Sequence, residues 1–508
     1  MKRYEALAAD IGKAIDDGTL RSGDRLPSVR CMSDSRGLSA ATVFQAYYLL
    51  EARGLVQARD RSGYYVCAGA PQLSRASPAM RRDAAVQLPR DVFESIAEGI
   101  AHIDAGRVVP LGSPYPSPAY YPLARLAQHI CAIPQDLDPR SIMEVPWSGH
   151  DELRRQIALR YQSAGVDVGV NEIIVTNGAT EALHLCLAAA TNPGDAVLVA
   201  SPTSYGALQT LQQRGLRAIE IRTHVPDGID LQELGDALVR NRPKACWLMT
   251  SFQNPTGSLM PESKKRAMID LLSRFDVPLI EDDVHAELHF SDRRPLPAKA
   301  FDTHGLVMHC SSFSRSLAPG HGIGWAAPGR YAMDVARRKS TSSSSAPAML
   351  QIAIAGYLKQ GGYDKHLRKL RRTLANHQEQ MLQAVARHFP AGTRATRSSG
   401  GYFVWLELPA GIDVMRVHTE SLSMGISIAP GPLFSASRGF RNCLRLNYGH
   451  PWDTRAQEAI ASLGALAAGR TGARRSALVT VAGDAAYVPV AVRTSPCEGL
   501  AVVDAARV

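Results

Sequence analysis

The sequence lacks any apolar run near the ~18–20 residues that a membrane-spanning helix requires. It also lacks the apolar core of a secretory signal, because Asp10, Asp16 and Asp17 interrupt its first amphipathic stretch. Its eight cysteines are scattered and none forms a Cys-x-x-Cys pair, which argues against a zinc site or a disulfide framework. We therefore expect a soluble, cytoplasmic protein without a bound metal or a membrane partner.

The positive charge is not concentrated where a nucleic-acid-binding segment would need it. The formal net charge is +10, yet residues 1–66 hold ten Lys and Arg against eight Asp and Glu, a surplus of two. Net charge is therefore no evidence for nucleic-acid binding, and any such prediction must depend on specific residues.

Four regions differ in composition along the 508 residues, a length that suggests about three units of ~150 residues. Residues 1–66 carry helical patterns and a short strand pair, and residues 67–92 are small, polar and Pro-containing, as in a linker. Residues 93–466 form the large domain. Residues 467–508 show no clear period, which predicts a loosely ordered tail.

Apolar, strand-like runs alternate with helical patterns through the large domain. Five such runs are Ile173–Thr176, Ala196–Val199, Cys246–Met249, Pro278–Ile280 and Leu306–Met308. Runs of this kind are typical of strands buried on both faces. The alternation predicts an α/β fold with a mostly parallel sheet covered by helices.

The first 66 residues predict three helices and a two-stranded wing. Helical spacing covers residues 3–17, a second helix begins at Pro27-Ser28 and ends at Gly37, and Ser39 is a good N-cap for a third. Short strands follow on either side of residues 60–63. This is the plan of a winged helix-turn-helix, which presents its third helix to a major groove. A small helical dimerisation module is the alternative.

Specific residues favour the DNA-binding interpretation. The motifs are Leu26-Pro27-Ser28-Val29-Arg30, Leu38-Ser39-x-x-Thr42-Val43, Leu50-Glu51-x-x-Gly54-Leu55 and Arg61-Ser62-Gly63-Tyr64. Together they resemble the GntR-family DNA-binding domain. The resemblance implies contacts to operator DNA by Arg30, Ser39, Thr42, Gln45, Arg61 and Gly63. Many such domains have an arginine where this chain has Ala40, so one contact is absent or moved.

Four motifs of the large domain are candidates for a ligand site. Thr176–Leu183 joins a strand to a helix, whose first N–H groups favour a phosphate. Gln253–Gly257 reads Gln-Asn-Pro-Thr-Gly, and Leu279–Asp283 puts carboxylates at the end of a buried strand, where open α/β sheets bind ligands. Arg445 lies in an apolar run, as either a buried ion-pair partner or a carboxylate clamp.

These motifs resemble fold-type I aminotransferases dependent on pyridoxal phosphate, over roughly residues 105–466. With the GntR-type head, the whole chain resembles the MocR subfamily of regulators. The resemblance implies a three-layer αβα domain with a smaller C-terminal α+β subdomain. It assigns the cofactor to Gly178, Ala179, Thr180, Asn254, Asp282, Ser312 and Ser314. Within that set Asn254 would bond the ring hydroxyl and Asp282 the pyridinium nitrogen, while Arg445 would grip a substrate carboxylate.

The segment from His309 to Trp325 resembles the family's Schiff-base segment, but Arg315 stands where the family has its lysine. A guanidinium stays protonated and cannot condense with an aldehyde, so no catalytic residue is predicted. The nearest lysines are Lys299 and Lys339. Three further ring or phosphate positions depart from the family pattern: Gly322 for arginine, His285 for tyrosine, and Ser204 for the stacking aromatic residue.

The sequence therefore predicts a DNA-binding, homodimeric transcriptional regulator that is not an active enzyme. Its large domain would sense a small-molecule effector and would hold pyridoxal phosphate without a covalent bond or not at all. The alternatives are a pyridoxal-phosphate-dependent aminotransferase or sensor carrying a DNA-binding head, and a purely structural large domain. Asp282 as a helix cap and Arg445 as a core arginine also stay open.

Overall fold

The computed structural model describes residues 2–16, 20–59, 62–67, 108–133, 145–225, 227–343, 345–471, 478–483 and 486–491. Backbone contacts divide the chain into one unit of Met1–Leu88 and another of Pro89–Val508. Nearly all of the predicted linker, together with Arg61, lies outside the described residues. No described helix is long and apolar enough to cross a membrane.

Three helices build the first unit. They are α1 (Arg3–Asp16), α2 (Val29–Arg36) and α3 (Ala40–Ala52). Ser28 and Ser39 cap α2 and α3, since each hydroxyl accepts the backbone N–H three residues later at 3.2 Å. Gly37 ends α2 with φ 62°, a left-handed conformation that glycine adopts without strain. The predicted Ser39 cap and the predicted start and end of α2 are confirmed.

A two-stranded wing completes this unit. Strand β1 (Val56–Arg59) pairs antiparallel with β2 (Gly63–Val66). Helices and wing enclose one core, which includes Leu7, Leu26, Val43, Leu50, Val56 and Val66. The order of three helices and a wing is that of a winged helix-turn-helix.

An eight-stranded sheet forms the centre of the second unit. Its strands are β3 (Ile174–Asn177), β4 (Ala196–Ser201), β5 (Arg217–His224), β6 (Gly228–Ile229), β7 (Ala245–Leu248), β8 (Leu279–Asp282), β9 (Val307–Ser312) and β10 (Ile323–Ala327). The spatial order is β3-β10-β9-β8-β7-β4-β5-β6. Strands β5, β4, β7, β8 and β9 run parallel, whereas β10 is antiparallel to both β9 and β3.

Helices cover both faces of this sheet. They include α4 (Leu123–Cys131), α5 (Asp151–Ser163), α6 (Gly178–Ala190), α7 (Tyr205–Gln213), α8 (Leu231–Asn241), α9 (Glu262–Arg274), α10 (Ala332–Ser342) and α11 (Ala348–Lys359). Along β4, Val197 and Val199 join the core under α6 and α7, while Leu198 joins the core under α8 and α9. Burial on both faces explains why these strands are continuous apolar runs.

A second sheet builds the smaller C-terminal part. It contains β11 (Arg394–Thr396), β12 (Phe403–Glu407), β13 (Ala429–Pro430), β14 (Cys443–Asn447), β15 (Leu478–Gly483) and β16 (Ala486–Ala491) in the order β13-β14-β12-β11-β15-β16. Helices α12 (Gly362–His388), α13 (Val414–Ser423) and α14 (Thr454–Thr471) accompany it. Strands β15 and β16 lie in the tail, which therefore differs there from the loosely ordered segment we expected.

Candidate functional site

The candidate DNA-contacting residues of the first unit lie at the surface of α2 and α3. Arg30, Ser39 and Gln45 are exposed, and Thr42 is half-buried. The Ser39 and Thr42 hydroxyls are 2.8 Å apart, and Ser39 Oγ also accepts the Thr42 N–H. The first turn of α3 is thus fixed by a cap that uses two of the predicted contact residues.

Other motif residues hold this unit together. The Tyr47 hydroxyl donates to the Pro27 carbonyl at 2.7 Å and so ties α3 to the start of α2; burial raises the pKa of Tyr47 to about 12. Glu51 Oε1 accepts the Ala58 N–H on β1 at 2.8 Å. Gly63 opens β2 with φ +107°, in the region that favours glycine.

In the second unit, the start of α6 lies close to β10 of the central sheet. Helix α6 begins with Gly178, Ala179 and Thr180, and Gly178 has φ +76°. A Cβ added to Gly324 of β10 would lie 2.5 Å from the Gly178 carbonyl carbon, so this junction requires a close approach of two backbones. Gly322 lies beside Gly178 and brings no side chain. The site offers N–H groups and a helix dipole, without a guanidinium from position 322.

Asp282 ends β8 with its carboxylate buried. Its Oδ1 has no hydrogen-bond partner in the described structure. Burial raises the pKa of Asp282 to about 7, against an opposing effect of Arg315 and with a further increase from Asp283. The 3-10 turn that follows β8 is preceded by His285 as its N-cap residue, so Asp282 is not the cap of that turn.

Arg445 of β14 contacts Asn254 directly. Its Nη1 donates to Asn254 Oδ1 at 2.9 Å, and its Nη2 donates to the carbonyls of Gly112 and Ser113 at 2.6 and 3.1 Å. The Nε atom is buried without a partner in the described structure. The sequence placed Asn254 and Arg445 in one site, and the tertiary structure brings them together from positions 191 residues apart.

Two aromatic rings flank the Arg445 guanidinium. Its central carbon lies 4.1 Å from the centroid of Phe403 and 5.3 Å from that of Phe434. Burial lowers the pKa of Arg445 to about 10, while Tyr205 and Tyr402 oppose the shift. Within the described part of the chain, no carboxylate forms an ion pair with Arg445, so it is not a core arginine balanced by an acid.

The segment after β9 brings Arg315 into the same region. Its guanidinium stacks 3.8 Å from the centre of the Tyr115 ring, and its carbonyl accepts from the Tyr121 hydroxyl at 3.3 Å. Its Nη1 is buried and has no partner among the described residues. Ser312 is buried and Ser314 half-buried just before it. Arg315 therefore adds a second buried positive charge near Arg445. The charges of the two arginines affect the pKa values of neighbouring side chains.

His285 is neutral between these two arginines. Its Nδ1 lies 2.9 Å from the Phe252 carbonyl and its Nε2 3.1 Å from the Tyr402 hydroxyl. Burial lowers its pKa to about 3, with Arg315 and Arg445 contributing to this shift. Sequence reasoning missed Tyr115, Tyr402, Phe403 and Phe434 as neighbours of the arginines, because no motif marks them. Ser204, which stands at the position of the family's stacking aromatic residue, caps helix α7.

Residues 126–463 match the family of class I and II aminotransferases, and residues 3–66 match the bacterial regulatory proteins of the GntR family. The chain belongs to the class I and II aminotransferase family, and its first unit carries a GntR-type domain. It is 41% identical over 467 residues to the uncharacterized HTH-type transcriptional regulator YdcR of Escherichia coli K12, covering 92% of this chain and 99% of that one. It is 35% identical to YjiR of the same strain, covering 91% and 98%. The chain is a transcriptional regulator with an aminotransferase-like domain.

Solved aminotransferases share the fold of the large unit. A kynurenine aminotransferase of Pyrococcus horikoshii has a TM-score of 0.69 and 25% identity, covering 76% of this chain and 97% of that one. The α-aminoadipate aminotransferase LysN of Thermus thermophilus has a TM-score of 0.67 and 28% identity, covering 74% and 95%. The aminotransferase family implies binding of pyridoxal phosphate, and the GntR domain implies binding of DNA.

The chemistry of the residues present fits the ring and the phosphate of pyridoxal phosphate. The unpartnered Asp282 oxygen suits a ring N–H, and the start of α6 suits a phosphate. The buried lysines are engaged elsewhere: Lys265 donates to the Leu296 carbonyl at 2.6 Å, Lys299 pairs with Glu172 at 2.7 Å, and Lys339 with Glu181 at 3.0 Å. No described contact brings any of these three amines to Arg315.

Proposed function

We propose that this chain is a MocR-type regulator whose aminotransferase-like domain binds a ligand without transamination. The observation that carries the proposal is Arg315, which has a guanidinium where the family resemblance assigns the lysine amine. A guanidinium remains protonated at any physiological pH and cannot form the required carbon–nitrogen bond. The engagement of Lys265, Lys299 and Lys339 in other contacts supports the same conclusion.

Pyridoxal phosphate is the ligand whose chemistry matches the remaining side chains. Asp282 would hold the ring nitrogen, Asn254 the ring hydroxyl, and Gly178, Ala179, Thr180, Ser312 and Ser314 the phosphate. When bound, the cofactor supplies an electron-withdrawing ring. A positive ring nitrogen beside Asp282 would favour the ionised carboxylate, which burial alone disfavours. Arg445 would receive a carboxylate through its unpartnered Nε, or after releasing Asn254 or a backbone carbonyl.

The affinity for this cofactor should be lower than in a catalytic relative. Gly322 provides no charged hydrogen bond to the phosphate, a loss of about 1.5–3 kcal/mol by the usual strength of such bonds. The covalent tether is also absent. Reversible binding of this kind suits a sensor, since the occupancy of the site then follows the concentration of the free cofactor.

An absorbance titration with pyridoxal phosphate tests the proposal, followed by borohydride reduction and mass spectrometry of the protein. We expect the parent chain to bind the cofactor saturably. Borohydride reduction should then leave no cofactor attached to the protein. Arg315→Lys should trap one equivalent, because it introduces an amine near Asp282. Arg315→Gln is the matched control, which removes the charge without adding an amine.

A trapped adduct in the parent chain would mean that another lysine serves, and the active-enzyme alternative would then stand. Trapping in Arg315→Gln would lead to the same conclusion. Absence of cofactor binding in all three proteins would contradict a pyridoxal phosphate site.

We further propose that the chain acts in the cytoplasm as a homodimer on paired operator half-sites. Fold-type I domains build their sites at dimer interfaces, and a dimer would present two α3 helices to one duplex. Ligand binding would alter operator affinity through residues 67–92. Sedimentation of the full chain tests the dimer, and operator affinity with and without pyridoxal phosphate at fixed salt tests the coupling. A monomeric chain or an unchanged affinity would contradict the respective part.

A further inference from the structure

Helix α3 carries two large aromatic side chains on its solvent side. Phe44 is 54% exposed and Tyr48, one turn later, is 66% exposed. The opposite side of the helix is buried in the core of the first unit through Val43, Ala46, Tyr47 and Leu50. The core thus accounts for one side of α3, and Phe44 lies outside the core cluster that the described residues of this unit form.

Phe44 lies among the residues that the GntR-type plan turns toward DNA. It stands between Thr42 and Gln45 in the first half of α3, the part of a recognition helix that contacts base edges. Ala40 and Ala41 at the start of the helix are also exposed, and their side chains cannot form hydrogen bonds. Ala40, Ala41 and Phe44 therefore give the leading exposed surface of α3 an apolar portion, beside the polar side chains of Thr42 and Gln45.

Major-groove chemistry offers one main apolar target to such a surface. Thymine presents a C5-methyl group there, whereas guanine, adenine and cytosine present hydrogen-bond acceptors and donors. A phenyl ring has no hydrogen-bonding atom with which to read those polar groups. An exposed Phe at this position can thus pack against the thymine methyl group, but it cannot form hydrogen bonds with the polar base edges.

We propose that Phe44 is a specificity-determining residue that packs against thymine C5-methyl groups in the operator. The inference depends on DNA binding by the first unit. It adds to the contacts implied by the GntR resemblance a residue that selects T-containing half-sites by apolar contact. Arg30, which is exposed on α2, would contribute phosphate attraction without base selection.

The experiment uses the full chain and a duplex that it selects from a randomised pool. The selected duplex is synthesised with each thymine of one half-site replaced in turn by uracil, which lacks only the C5-methyl group. At one or two positions, replacing thymine with uracil should weaken binding about fourfold. This factor corresponds to the free energy of burying one methyl-sized group. Phe44→Ala should bind the thymine duplex more weakly and lose the distinction between thymine and uracil there.

Two variants serve as controls. Tyr48→Ala removes the neighbouring exposed ring and should keep the fourfold response to uracil, while Phe44→Leu, which retains an apolar side chain, should keep part of it. Equal affinity for thymine and uracil at every position would overturn the proposal. So would a thymine preference that survives in Phe44→Ala, or one that Tyr48→Ala abolishes equally.

A change of oligomeric state in Phe44→Ala with unchanged DNA affinity would instead assign the ring to a protein contact and would also overturn the proposal. If the pool yields no enriched duplex, DNA binding itself fails. That outcome is distinct from an enriched duplex whose binding ignores the methyl groups.

Discussion

Asp282 and Asp283 are neighbours at the end of β8, yet they lie in opposite electrostatic surroundings. Asp283 Oδ2 accepts from Arg294 at 2.6 Å and lies 3.0 Å from His309 Nε2, and Arg294 also contacts Glu287 at 3.2 Å. Asp282 receives only a backbone N–H, from Val284, among the described residues. Both side chains are almost fully buried, so burial alone does not distinguish them.

The pKa values of the two carboxyl groups express this difference. Burial opposes ionisation of both. At Asp283, Arg294 and His309 outweigh burial and hold the pKa below its usual range. At Asp282, burial prevails over Arg315 and raises the pKa to about 7. Each carboxyl group keeps one oxygen without a partner among the described residues, so the difference lies in charge balance: Arg294 and His309 compensate Asp283, whereas no described ion pair compensates Asp282, which retains capacity for a cationic ligand group.

The largest expected effect follows from breaking the ion pair between Asp283 and Arg294. Asp283→Asn should lower the free energy of unfolding by about 3–5 kcal/mol, because it leaves Arg294 buried with a single acidic partner. Asp282→Asn should not lower it at pH 7, because the variant removes a buried carboxyl group whose ionisation is opposed by burial. Urea unfolding of the full-length variants measures both. Equal losses would contradict the comparison.

The pH dependence should separate the two carboxyl groups next. Asp282 stays protonated in the folded chain between about pH 4 and 7 while the unfolded chain ionises, so its contribution to stability is present below pH 4 and is lost as pH rises to 7. The loss should be on the order of 3 kcal/mol. Asp283 acts in the opposite sense: its contribution is lost only as pH falls below about 4.

The difference in the free energy of unfolding between the parent chain and Asp282→Asn isolates the Asp282 contribution when it is measured at pH 4.5 and at pH 7.5. A difference that does not change between these pH values would show that the carboxyl group titrates normally.

Cofactor affinity should show an intermediate effect. Asp282→Asn should weaken binding of pyridoxal phosphate by about 1.5–3 kcal/mol, the usual value of a charged hydrogen bond. Gly322→Arg should strengthen it by less, because the φ of +60° at this position strains any residue with a Cβ. Fluorescence or absorbance titration provides both constants. Unchanged affinity in Asp282→Asn would remove this carboxylate from the ligand site.

The smallest expected effect comes from a pair of similar geometry at the surface. Arg330 Nη2 lies 2.7 Å from Asp276 Oδ1, but the Asp276 side chain is 71% exposed whereas that of Asp283 is fully buried. Asp276→Asn should lower stability by at most about 1 kcal/mol, and salt should reduce the effect further. A loss as large as that in Asp283→Asn would show that burial does not set the strength of these pairs.

Much of the local structure was predictable from short motifs. The Ser28 and Ser39 caps, the Gly37 stop, and the strands ending near Asn177 and Asp282 follow from neighbouring residues, and the structure has them. The tail was less predictable. Its composition has no period, and yet β15 pairs with β11 of the smaller sheet. Such pairing depends on a partner strand more than 80 residues away along the chain, as the register of Arg394 with Thr480 shows.

The candidate site was predictable in its members but not in their contacts. Motifs marked Asn254, Asp282 and Arg445, whereas the rings around the arginines came only from the fold. Tyr115 and Arg315, for example, are 200 residues apart in sequence and in contact in space. Pairings over such separations leave no periodic signal in the sequence.

The sequence by itself determined which chemistry is available to this protein: a carboxylate at a strand end, a helix start for a phosphate, and a guanidinium at position 315. The tertiary structure alone decided how each charge is balanced. It gave Asp283 an arginine and a histidine, left Asp282 without an ion pair among the described residues, and placed Phe44 outside the core. The physical reason is that ionisation and exposure depend on distance and burial, which long-range packing sets.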